Sequence, residues 1–192
     1  EDSSNGDIVH LLQQDAHRIE TVQIDDGEVK SLGAADLSDS PHDFILNSSE
    51  TFAYAACGST EGEVIEVDME TFQATRTFSV GHTPDSLAIS LDDKTLYVGN
   101  RFDGTVSVLD LNEEKEVRTF NAGREPFVCG LGADNKTLVV ASRSPETPAN
   151  RFFTCLTVRL FDVETGESSK LQLPNGSISL ASGCLSPDRK YA

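Results

Sequence analysis

Apolar and polar positions alternate in short runs along most of this chain. Four such runs fall at Ser86–Ser90, Thr95–Gly99, Thr105–Leu111 and Glu116–Phe120. They are rich in Val, Leu, Ile, Thr and Tyr, which suit a pleated, half-buried surface. Turn chemistry separates them, at Leu91-Asp92-Asp93-Lys94, Asn100-Arg101-Phe102-Asp103-Gly104 and Asn112-Glu113-Glu114-Lys115. No segment carries a persuasive i, i+3, i+4, i+7 stripe, although Ile8 to Ala16 superficially offers one. The pattern predicts strands throughout and an all-β fold.

The same four-run pattern recurs. Pro41–Gly81, His82–Gly123 and Arg124–Gly176 align as copies. Pro41, Pro84 and Pro126 are 43 and 42 residues apart, and Asp68 and Asp110 are 42 apart. Asp110 and Asp162 are 52 apart, and the excess lies in a proline-bearing insertion at Ser144 to Thr154. Asp25 precedes Asp68 by 43 residues, so an incomplete copy comes first. Four antiparallel strands in about 42 residues is the arithmetic of a β-propeller blade, whose faces are buried only by stacking on neighbours. The expected layout is a single propeller region over 1–192. It has a partial blade at 7–32, blades at about 41–81, 82–123 and 124–176, and the start of another at 177–192. The ring is expected to be incomplete, and the chain a piece of a longer protein.

Thr95-Leu96-Tyr97-Val98-Gly99-Asn100, followed by Asp103-Gly104-Thr105-Val106-Ser107-Val108-Leu109-Asp110, resembles the YVTN repeat of bacterial β-propellers. Two copies depart from it. Cys57 stands in the Asn column of the first, and Ser142 in that of the third. The resemblance runs over roughly residues 7 to 192. YVTN propellers occur in surface-layer proteins, in lactonase-like proteins and beside cytochrome domains. The insertion of the third copy, with Leu173-Pro174-Asn175-Gly176-Ser177 and Cys184-Leu185-Ser186-Pro187-Asp188, looks like the propeller part of long extracytoplasmic bacterial proteins that often carry c-type cytochrome modules. The resemblance therefore implies a periplasmic or cell-surface setting. No cofactor is expected in this stretch, and haem only in a region outside it.

Composition narrows the classes. The 192 residues carry a net charge of −17, with 15 Lys plus Arg against 32 Asp plus Glu. An acidic surface repels the phosphate backbone, which excludes a basic nucleic-acid binder. No apolar run reaches the roughly 20 residues of a membrane span. The four cysteines, at 57, 129, 155 and 184, form no CxxC and hence no zinc knuckle or CxxCH haem attachment. Free buried thiols are expected, although two disulfides in any of three pairings remain open.

In a propeller the D–A and B–C connections (strands A to D counted from the inside) share one face, where loops on a rigid frame collect function. That face should present His42, Asp43, His82, Asp85, Asn100, Arg101, Arg124 and Arg143 as a polar rim for a small anion, a metabolite or a protein partner. The competing reading makes Gly81-His82-Thr83-Pro84 and Gly123-Arg124-Glu125-Pro126 plain turns. His42 and His82 could meet as metal ligands only with a third ligand, and no metal is expected. Asp68, Asp110 and Asp162 recur at one column and are expected to cap turns. There is no GxSxG and no evident Cys–His pair, so no catalytic residue is expected. The expected function is a non-catalytic scaffold that binds a protein partner or small-molecule ligand through its loop face. The rivals are the propeller module of a cytochrome-containing electron-transfer protein and a lactonase-like hydrolase acting through Asp43 or Asp85.

Overall fold

A computed structural model describes residues 6–147 and 150–171. Every regular element among them is a strand. The first sheet holds β1 (Asp7–Gln13), β2 (Arg18–Asp25) and β3 (Glu28–Asp36). The second holds β4 (Pro41–Leu46), β5 (Phe52–Cys57), β6 (Gly62–Asp68) and β7 (Gln73–Val80). The third holds β8 (Pro84–Ile89), β9 (Thr95–Asn100), β10 (Thr105–Asp110) and β11 (Lys115–Asn121). The fourth holds β12 (Pro126–Leu131), β13 (Thr137–Thr147), β14 (Asn150–Asp162) and β15 (Ser168–Leu171). All neighbours pair antiparallel in sequence order. The helix-like Ile8 stretch begins in β1, and the insertion lengthens the β13–β14 hairpin. The expected further blade at 177–192, with Cys184, lies outside the described residues, as do 173–176.

Period-two alternation sends successive side chains to opposite faces, so each inner sheet feeds two cores. Leu96 and Val98 of β9 face the second sheet and pack with Tyr54, Val64 and Phe78. Tyr97 of the same strand faces the fourth sheet and packs with Leu131, Leu138 and Phe161. Ile19 and Ala35 of the first sheet meet Ala53, Ala55 and Val67 of the second. Each fully buried Val or Leu contributes roughly 1.5–3 kcal/mol, so these three interfaces hold the arc together.

Polar clamps repeat with the same period. On the A–B turns, Ser48 N–H donates to Asp93 Oδ1 at 3.0 Å, and Leu91 N–H donates to Asn135 Oδ1 at 2.8 Å. On the outer strands, Arg76 donates to Leu111 O at 2.7 Å, and Arg118 donates to Glu164 O at 2.9 Å and Thr165 O at 2.7 Å. The recurring Asp column closes the C–D turns. Asp110 Oδ1 accepts from Asn112 and Glu113 N–H, as Asp68 does from Glu70 and Thr71, and Asp162 from Glu164 and Thr165. Those main-chain donors hold the Asp68 and Asp162 carboxyls below the ordinary carboxylate range.

Candidate functional site

The inner strands β4, β8 and β12 share one irregularity. In each, the ladder shifts register directly after the proline, between Pro41 and Asp43, Pro84 and Ser86, and Pro126 and Val128. The residues left out of the ladder are His42, Asp85 and Phe127. A bulge frees its residue from pairing and re-aims the side chain. All three side chains turn to the same place, the residue that follows the proline's ladder partner on the second strand of their own sheet. His42 Nε2 lies 3.1 Å from Gly58 O, Asp85 Oδ2 lies 3.6 Å from Arg101 Nη1, and the Arg143 guanidinium stands 4.7 Å above the Phe127 ring.

The residues they meet are equally fixed. Gly58, Arg101 and Arg143 donate main-chain N–H groups to Ser40 O at 3.1 Å, Thr83 O at 2.9 Å and Glu125 O at 3.1 Å. Adjacent turns approach so closely that a Cβ at Gly104 would stand 2.6 Å from Gly123 O, and one at Gly62 would strike Gly81 O. The rim therefore sits on a tightly packed floor.

Its electrostatics centre on two carboxyls. Burial holds Asp85 above the ordinary carboxylate range, while the charges of Arg101, His42 and Arg143 pull it back. Burial pushes the Asp43 carboxyl up to about 6, and the charge of Asp85 adds to that. Both Asp43 oxygens accept main-chain hydrogen bonds, from Phe44 N–H at 2.9 Å and from Leu87 N–H on the next sheet at 2.9 Å. Ser86 holds the Asp43 position in the third sheet, but its side chain is too short for that reach. Its buried Oγ has no oxygen or nitrogen partner and stands beside the Cys129 thiol. Cys57 and Cys129 are free, and burial pushes both thiols up to about 12.

Of the rim residues expected from the sequence, the structure brings His42, Asp85, Arg101 and Arg143 into one interacting set, with Asp43 beside it. Asn100 is fully buried beneath the rim, where it donates to Thr105 Oγ1 at 3.0 Å and Ser107 Oγ at 2.8 Å. His82 stands on a D–A connection, with its N–H on Asp103 Oδ2 at 2.7 Å and its ring edge-on to Phe102 at 5.2 Å. Phe102 also carries the Arg101 guanidinium at 5.5 Å, which links His82 to the set through one ring. Arg124 is exposed and pairs with its neighbour Glu125 at 3.2 Å. Sequence reasoning missed Phe127 and Phe102. The signal for Phe127 was present, since it follows its proline as His42 and Asp85 follow theirs.

Among the described residues, no three His, Cys, Asp or Glu side chains converge as metal ligands, and no helix is long and apolar enough to cross a membrane. The His42 ring is engaged through Nε2 by Gly58 O at 3.1 Å, and the His82 ring through Nδ1 by Thr83 Oγ1 at 2.8 Å.

No protein-family model and no curated protein matches this chain. In structure it is similar to Kuenenia stuttgartiensis hydrazine synthase, with a TM-score of 0.73 and 21% identity. The fold is a β-propeller. The match covers 87% of this chain and 47% of that one, so this chain spans about half of the other's length.

Proposed function

We propose that this propeller is a non-catalytic scaffold that binds a small ligand or a protein partner through its loop face. One observation carries the reading. Bulges on three successive inner strands turn side chains onto a single rim, where Asp85 lies 3.6 Å from the Arg101 guanidinium and feels the charge of Arg143. Bulges of this kind concentrate where a sheet presents residues to something else. The remaining chemistry supports binding over catalysis. Thiols pushed up to about 12 are poor nucleophiles, and the oxygens of Asp43 are occupied by main-chain donors. The YVTN likeness of residues 95–110 supports an extracytoplasmic bacterial setting within a longer protein.

The lactonase-like rival has one observation in its favour. A carboxyl at about 6, as Asp43 has, suits a general acid or base near neutral pH. The electron-transfer rival has only the family likeness behind it, with any haem carried outside these residues. A panel of metabolites, peptides and lactones, screened by amide chemical shifts, tests the proposal. Ligand-dependent shifts clustered at 41–43, 84–86, 101–103 and 143 are expected, with no turnover. Saturable lactone hydrolysis that Asp43→Asn abolishes would overturn it.

A further inference from the structure

The Arg101 and Arg143 guanidinium groups are held in place but poorly satisfied. Arg101 Nη1 stands 3.6 Å from Asp85 Oδ2, an ion pair longer than a hydrogen bond. The Arg101 Nε–H is shielded from solvent and has no acceptor among the described residues. Arg143 rests on the face of Phe127, and among the described residues no acceptor receives its side-chain donors. A guanidinium offers five N–H donors in a planar fork, and a buried donor without an acceptor is costly. The two arginines occupy the same column of neighbouring sheets, with their backbones tied to Thr83 O and Glu125 O, and the charge of each reaches Asp85.

We infer that the rim between Arg101 and Arg143 is a site for a small monoanionic carboxylate, received by the two guanidinium forks beside Asp85. This rests on the loop-face reading and adds the ligand class to it. The fork matches the two oxygens of a carboxylate edge to edge. Charge count selects the monoanion. Two guanidinium groups stand against Asp85 and Asp43, so the set is close to neutral within a chain of net charge −17. A dianion such as hydrogen phosphate would add uncompensated negative charge where water is partly excluded. The Phe102 and Phe127 rings lay apolar surface against one face of each guanidinium, which suits the short hydrocarbon body of such a ligand.

The test follows the side-chain Nε–Hε resonances of a 15N-arginine-labelled chain at pH 7 and constant ionic strength. Sodium acetate is titrated into the tens of millimolar range. Saturable shifts are expected at Arg101 and Arg143 and not at Arg18. Arg143→Lys keeps the charge and removes the fork, so it should weaken binding about tenfold or more while the chain stays folded. Lys115→Met, on the outer strand β11, should leave the acetate titration unchanged. Sulfate, a dianion at this pH, should bind more weakly than acetate. Silence at both arginines, equal binding by Arg143→Lys, or tighter binding of sulfate would each overturn the assignment. A partner or metabolite that shifts loop-face amides while acetate leaves both arginines silent would leave the scaffold reading standing and remove only the carboxylate.

Discussion

Leu87 donates its main-chain N–H to Asp43 Oδ2 at 2.9 Å, so a carboxyl from one inner strand clasps the inner strand of the next sheet. The bond costs the protein a desolvated carboxyl, because burial outweighs the Leu87 and Phe44 donors and lifts Asp43 from 3.8 to about 6. The charged group across from it is Asp85, with the neutral Cys129 thiol nearby.

This sets a pH dependence. Between about 3.8 and 6 the folded chain keeps a proton that the unfolded chain has released. Stability from this site is therefore full below that window, falls as pH rises through it and levels off above it. At about 1.4 kcal/mol per pH unit, the fall is of order 3 kcal/mol. Asp43→Asn removes the titration and keeps one acceptor for Leu87. Urea midpoints at pH 4 and pH 7 should show wild type losing ground to the variant as pH rises. Parallel pH profiles would contradict this account.

Arg76 and Arg118 should respond differently to Met. Both clamp carbonyls of the next sheet, and both stack on a ring two residues on, Phe78 at 5.5 Å and Phe120 at 5.1 Å. Arg76 also faces Glu66, which is 2% exposed and accepts from Arg76 Nε at 2.8 Å and Thr75 Oγ1 at 2.6 Å. The residue opposite Arg118 is the apolar Val108. Arg76→Met strands a buried carboxylate and should cost about 3–5 kcal/mol. Arg118→Met strands nothing charged and should cost about 1 kcal/mol. Chemical denaturation of the two variants checks the order, and equal losses would remove Glu66 from the explanation.

Glu50, Asp93 and Asn135 occupy the same left-handed step of three A–B turns, at φ 55°, 54° and 55°. Asn and Asp tolerate this region through local hydrogen bonding, whereas a longer L side chain pays roughly 1 kcal/mol. Glu50→Asn should therefore stabilise the chain by about 0.5–1 kcal/mol, seen as a rise in Tm.

The two described thiols should be inert in the native state. Both are pushed up to about 12, and Cys57 is fully buried. An aromatic disulfide reagent at pH 8 should label neither within minutes, and both on unfolding. Fast native labelling at Cys129, located by peptide mapping, would contradict this.

The sequence by itself determined the strands, the blade period and the capped C–D turns. Those are local properties: a two-residue alternation, turn residues at fixed offsets, and an Asp whose carboxylate closes on the N–H groups two and three residues on. It also placed His42, Asp43, Asp85, Arg101 and Arg143 on the face where the structure gathers them. That His42, Asp85 and Phe127 form one column is legible from the proline before each, but the bulge that takes all three out of the ladder is not. Only the tertiary structure decided which side chains reach across. Asp43 finds Leu87, 44 residues away, while Ser86 in the same position finds no oxygen or nitrogen partner. That difference depends on side-chain length measured against the gap between packed sheets, a quantity no stretch of sequence contains.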